Sequence, residues 1–206
     1  MEWLLPTRCA GCGRLHAGRL CADCQPVGVH RPPLHAHGIS GCMTLAHYDS
    51  PLGRAVRQCK VSGDRHLALT LSRVFAHCLP DIPCDAVVCV PTPWTRRWSR
   101  GFHLAAVLAQ EVSRRQGIPF VSALHARPGP PQSRTTARSA RRRNLVGRIR
   151  SLRPAPGRVL LVDDVITSGA TVEACARELL GDCTESVWVA SVCAVRRHSE
   201  THRQDL

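Results

Sequence analysis

The stretch VLLVDDVITSGAT, residues 159–171, decides how the chain is read. Its four leading apolar residues form a run of the kind that is buried on both faces in a parallel sheet. The strand is expected over 158–162 and to break at two adjacent carboxylates, Asp163 and Asp164. Ligands of open α/β sheets sit at that carboxyl end. Thr167, Ser168, Gly169, Ala170 and Thr171 then offer hydroxyls, small side chains and unobstructed backbone N–H groups at a helix start. Such a turn is a cradle for a monophosphate and needs no lysine. The carboxylates do not suit a phosphate, but they suit vicinal ribose hydroxyls, reached directly or through Mg²⁺. A strand–turn–helix with a lone Asp cap and no ligand needs neither the second acid nor the TSGAT run. A phosphoribosyl site is therefore the reading. Neither GxGxxG nor GxxxxGK(S/T) occurs, which argues against dinucleotide and Walker-type sites.

Outward from this stretch, strands and helices alternate. Residues 39–48 read as strand, 51–59 as a short helix, and 65–79 as a longer amphipathic helix capped by Asp64. A β-branched run over 86–90 ends in Pro91, and a loop and a helix over 103–116 follow. A second strand is expected over 119–124, then a polar, proline- and arginine-rich stretch to 156, a helix over 169–180 and a strand over 186–195. This alternation indicates an α/β fold with a parallel, helix-flanked sheet.

At 206 residues the chain can hold one medium domain and a small accessory module. We divide it into a cysteine module at 1–28, a connector at 29–37 with two prolines and three histidines, and the α/β domain at 38–206. No apolar run approaches the roughly 20 residues of a membrane span, and the N-terminus lacks the pattern of a signal peptide. The cytoplasm is the expected location. The formal net charge is +13, yet Lys60 is the only lysine and the other 27 basic residues are arginine. That skew fits a GC-rich genome as well as it fits selection for phosphate contacts.

Of the twelve cysteines only four have ligand spacing: Cys9-x-x-Cys12, eight residues, then Cys21-x-x-Cys24. Two such turns can direct four thiolates to one structural Zn²⁺, leaving no open position for catalysis. Redox-active dithiols and unrelated cysteines are the alternatives. The remaining eight lie in apolar stretches, where cysteine behaves as a small hydrophobe.

The motif at 159–171 resembles the 5-phosphoribosyl-1-pyrophosphate (PRPP) signature of type I phosphoribosyltransferases, and other segments resemble the ComF family. Tyr48-Asp49-Ser50-Pro51-Leu52-Gly53 with Lys60 and Gly63-Asp64 is similar to its early block. Val90-Pro91-Thr92-Pro93 with Arg96, Arg97 and Arg100-Gly101-Phe102-His103 is similar to the second, and Gln132-Ser133 with Arg142-Arg143-Asn144 to the third. Three features depart from the pattern. Ser168 stands where threonine is commoner, His103 where asparagine is, and Arg134-Thr135-Thr136 replaces a small-residue and leucine pattern.

The resemblance implies a type I phosphoribosyltransferase-like sheet with a small N-terminal zinc module, binding PRPP with Mg²⁺. Asp163, Asp164 and Arg100 would be catalytic, and Thr167 to Thr171 would hold the 5-phosphate. Pro91, Thr92, Arg96, Arg100 and Gly101 would form the pyrophosphate loop. Gln132, Arg138, Arg142 and Arg143 would lie on a mobile basic loop closing over the ligand. That third stretch, 127–153, carries nine arginines and no acid, so a polyanion-binding arm or a solvated linker also fits it. Trp94 and Trp98 either pack on the domain or stack bases. Three functions follow: phosphoribosyl transfer with pyrophosphate release, single-stranded DNA handling alongside competence machinery, and PRPP sensing without turnover.

Overall fold

The structure is a computed structural model that describes residues 7–26, 28–32, 34, 38–92, 101–127, 147–181 and 183–195. Strand β3 (Ile39–His47) follows a small hairpin of β1 (Thr7–Arg8) and β2 (Leu15–His16). Helix α1 (Pro51–Ser62) starts sharply: Ser50 accepts from the Gly53 amide at 3.1 Å, and Pro51 fills the first turn, where its missing N–H costs nothing. A side chain at Gly53 would collide with the Tyr48 carbonyl, so only glycine lets the chain turn here. The helix ends on Gly63 at φ 67°, and Asp64 at once caps α2 (Arg65–Cys78) by accepting from the Leu67 amide at 3.0 Å.

Strand β4 (Ala86–Cys89) leads through the second block to α3 (Leu104–Gln116). Strand β7 (Gly157–Ile166), helix α4 (Ala170–Leu179) and strand β8 (Thr184–Ala194) complete the sheet. The four long strands are all parallel, in the order β3-β8-β7-β4. Side chains alternate along β7. Leu160 and Val162 enter the core shared with α1, α2 and α3, while Val159 and Leu161 enter the core shared with α4. A parallel strand covered by helices on both faces must be apolar at every position, as 159–162 is.

Two expectations are corrected. The strand at 158–162 does not break at the carboxylates; β7 continues to Ile166, paired with β8 through Asp163↔Ser191, Val165↔Cys193 and Ile166↔Ala194. The strand expected over 119–124 is a single parallel bridge from Phe120 to Val87. The chain then leaves the sheet and pairs Leu124–Ala126 (β5) antiparallel with Ile149–Ser151 (β6). Leu124, Ala126 and Ile149 are buried against the α4 side, and that burial favours the pairing.

The cysteine-rich residues pack on the same core as the helices. Cys9, Ala10, Leu20, Cys21 and Cys24 are buried with Leu52, Ala55, Val56 and Cys59 of α1. Arg19 pairs with Asp64 at 3.3 Å, and His30 exchanges backbone hydrogen bonds with Thr44 of β3. Outside the four-cysteine set, Cys42, Cys59, Cys84, Cys175 and Cys193 are buried, as small hydrophobes should be, whereas Cys183 is exposed. No helix among the described residues is long and apolar enough to cross a membrane.

Candidate functional site

The connections on either side of β7 and β4 diverge. The chain leaving β4 enters α3 on one face of the sheet, and the chain leaving β7 enters α4 on the other. Their carboxyl ends therefore mark a topological switch point, the kind of place where ligands of open α/β sheets bind. β4 stops first: Cys89 pairs with Val162, and the Val90 amide donates to the Val162 carbonyl at 2.8 Å. Residues 163–166 overhang beyond that bond, paired to β8, and among the described residues no strand pairs with them on the β4 side.

Strand alternation separates the two acids. Asp163 follows Val159 and Leu161 toward α4, and Asp164 follows Leu160 and Val162 toward α1. Both are half-buried. The Lys60 ammonium meets Asp164 Oδ1 at 2.7 Å, and the Asp164 amide donates to Asp163 Oδ1 at 2.8 Å. Burial pushes the Asp163 carboxyl up to about 8, and the charge of Asp164 adds to that rise. Lys60 and the Asp164 amide only partly offset it. An acid held this way is short of a cation or donor.

Beyond the overhang the chain bends at 167–169, and Gly169 takes φ 77° as the residue before α4. That left-handed step favours glycine. Thr167 is exposed, while Ser168 and Thr171 are half-buried. Ser168 Oγ accepts from the Ala170 amide at 3.5 Å, a long bond. The first-turn amides and three hydroxyls thus gather at one helix start, as an anion cradle requires. Glu173, buried in the first turn, is balanced by Arg177 at 3.6 Å.

Pro91 and Thr92 are half-buried where the chain leaves β4. Arg96 and Arg100 lie outside the described residues, as do Gln132, Arg138, Arg142 and Arg143. Gly101, at φ 74°, is exposed, and its carbonyl accepts from Arg65 of α2 at 3.2 Å. Lys60 belongs to the early block of the resemblance, but neither its contact with Asp164 nor that of Arg65 with Gly101 is legible in the sequence. Two signals mark Lys60 in the sequence: its place in that block, and its survival as the one lysine in a chain that uses arginine at its other 27 basic positions.

The second constellation is the cysteine set. Cys9, Ala10, Gly11 and Cys12 turn at the hairpin tip, with the Gly13 amide donating to the Cys9 carbonyl at 2.8 Å; Cys21 caps a short 3-10 turn and Cys24 is its last residue. All four sulfurs lie within 4.8 Å of one another, with Cys9–Cys21 at 3.6 Å and Cys12–Cys21 at 3.8 Å. Tetrahedral thiolates on Zn–S bonds of about 2.3 Å stand about 3.8 Å apart, so the set fits that ion. A Cβ at Gly11 would lie 2.8 Å from both Cβ and Sγ of Cys24, which keeps this turn free of side chains. A hydrogen bond from Arg14 holds the Cys12 thiol down to about 6. Burial pushes the Cys9 thiol up, but hydrogen bonds from the backbone of Cys21, Cys12 and Gly11 lower it on balance. Burial and the neighbouring sulfurs push Cys24 strongly up. Four adjacent thiols cannot all ionise without a cation, and a dication removes the conflict.

Comparison with known proteins agrees with this arrangement. Residues 85–205 match the phosphoribosyl transferase domain family. Over 200 residues the chain is 32% identical to the DNA utilization protein YhgH of Escherichia coli strain K12, covering 91% of this chain and 84% of that one. It is 27% identical over 218 residues to competence protein F of Haemophilus influenzae, covering 88% and 95%.

Proposed function

The chain belongs to the ComF family of phosphoribosyltransferase-domain proteins, and from that membership we propose that it binds PRPP with Mg²⁺ in the crevice between β4 and β7. The observation that carries the proposal is the overhang of β7. It holds Asp163 and Asp164 beyond the end of β4, directly ahead of the α4 N-terminus. Carboxylates there accept from ribose hydroxyls, and the turn at 167–171 receives the 5-phosphate. Arg100 and the backbone near Gly101 take the pyrophosphate. Oxygen donors suit Mg²⁺, which when bound neutralises charge on the diphosphate. In transfer, a nitrogen nucleophile attacks the anomeric carbon as the bond to pyrophosphate breaks, and the carboxylates stabilise the positive charge that develops on the ring.

The metal module, residues 1–28, holds a structural Zn²⁺ through Cys9, Cys12, Cys21 and Cys24; 29–37 joins it to the phosphoribosyltransferase-type domain at 38–206. The relatives' names, DNA utilization and competence, support a role with DNA; the arginine-dense stretch 127–153 supplies the charge for binding it, in our reading as a single strand. Titration of PRPP and ribose 5-phosphate into the protein, with and without Mg²⁺, tests the site. Release of pyrophosphate from PRPP, screened against nucleobases, amines and single-stranded DNA, separates transfer from binding alone.

A further inference from the structure

Lys60 sits two residues before the end of α1 and reaches across to β7, where its ammonium lies 2.7 Å from Asp164 Oδ1. The two side chains are 20% and 17% exposed, so the pair is neither a screened surface contact nor a fully dry one. Five residues on, at the first position of α2, Arg65 donates to the carbonyl of Gly101 at 3.2 Å. Gly101 follows directly on Arg100. The α1–α2 corner therefore faces the acids with one cation and the exit of the proposed pyrophosphate loop with another.

The chemistry of lysine suits a changing partner. Its compact ammonium rides on a flexible four-carbon stem and can swing between carboxylate and phosphate oxygens, whereas a guanidinium fork is committed to a planar geometry. Asp164 is also one of the two carboxylates that the proposed site offers to a divalent cation or to the ribose hydroxyls. A dication and an ammonium repel strongly when both press on one carboxylate. We infer that Lys60 and the divalent cation compete for Asp164, and that the displaced ammonium turns onto the diphosphate of the incoming ligand. The inference rests on the reading of Asp163 and Asp164 given above. In the absence of cation Lys60 holds Asp164 in place through the 2.7 Å contact; with cation and diphosphate it becomes a contact to the leaving group.

Because Lys60 is the only lysine, its side-chain amine can be followed in the natural chain. Brief acetylation with acetic anhydride, read by peptide mass spectrometry, separates it from the Met1 amine. An amine engaged with a carboxylate is a poor nucleophile, so release raises its acetylation. Mg²⁺ alone should raise Lys60 acetylation by about threefold or more. Mg²⁺ with ribose 5-phosphate should leave it raised, and Mg²⁺ with PRPP should return it to the metal-free level or below. As a second arm, Lys60→Met should bind Mn²⁺ alone roughly tenfold more tightly than the natural chain, whereas Lys60→Arg should not. A merely structural lysine would predict weaker cation binding in both variants. If Lys60→Met does not fold, the acetylation arms decide alone. Acetylation unchanged by Mg²⁺, or Mn²⁺ affinity not increased in a folded Lys60→Met, overturns the inference. Absence of any PRPP or ribose 5-phosphate binding would instead sink the site reading, and the arms with metal alone would still decide the competition at Asp164.

Discussion

The Val90 amide donates to the Val162 carbonyl over 2.8 Å, and among the described residues this is the last bond from the β4 side to β7. The next two residues of β7 are Asp163 and Asp164. The overhanging strand end carries both acids past the end of β4 while β8 still pairs with its backbone, and side chains on paired strands are held more firmly than side chains on loops.

Asp163 gives a pH-dependent prediction. Its folded pKa, about 8, lies above the roughly 4 of an unfolded aspartate, so between those values the native state binds more protons than the unfolded one. Stability from this group is fully present at low pH and is lost as pH rises through about 8. Asp163→Asn should therefore be more stable than the natural chain near pH 9, by on the order of 1 kcal/mol, and the gain should shrink toward about pH 5. Thermal melts of both proteins across that range, without divalent cation, check the sign.

The cysteine set predicts about one Zn²⁺ per chain in freshly purified, reduced protein. Cys9→Ser and Cys21→Ser should lose the metal and destabilise the N-terminal module. Gly11→Val should weaken metal retention while every sulfur remains, because its side chain would press on Cys24. Elemental analysis and chelator competition measure each effect.

Asp64 performs two tasks that differ in size. As the cap of α2 it accepts from the Leu67 amide, and it also pairs with Arg19, whose side chain is 40% exposed. Asp64→Ala should cost about 1 kcal/mol or somewhat more, whereas Asp64→Asn, which keeps the cap, should cost only a few tenths. Denaturant melts of the two variants should separate by that difference.

Much of the sheet is legible in the sequence because its signals are local. Asp64 marks a helix start and apolar runs mark β4 and β7, whereas α1, expected to end at 59, runs on to Ser62 before Gly63 turns left-handed. The end of β7 is not legible. Two acids read as a strand terminus, and only pairing with β8 keeps them in the sheet. β6 is hidden too, since Ile149, Arg150 and Ser151 form a strand only through the tertiary partner β5. At the site, Asp163, Asp164 and the hydroxyl turn are contiguous and readable, whereas Lys60 meets Asp164 across 104 residues of chain. No periodicity reports such a contact.

The arginine-dense stretch makes a prediction about nucleic acid. Binding through several phosphate contacts releases counterions, so affinity for single-stranded DNA should fall steeply with salt. Neutralising Arg141, Arg142 and Arg143 together should weaken binding and flatten the salt slope by about two units. Fluorescence anisotropy over a salt series measures both, and a slope unchanged in the triple variant would place the DNA surface elsewhere.

Calorimetric titration of PRPP into the natural chain and into Asp163→Asn/Asp164→Asn, with and without Mg²⁺, bears most directly on the crevice between β4 and β7. The natural chain should bind PRPP in a Mg²⁺-dependent manner, and the double variant, still folded, should not. Ser168→Ala and Thr171→Ala should each weaken PRPP and ribose 5-phosphate alike, by about 1.5–3 kcal/mol. Failure of the natural chain to bind either ligand with Mg²⁺ present, or undiminished PRPP binding by the double variant, would contradict the assignment of residues 159–171.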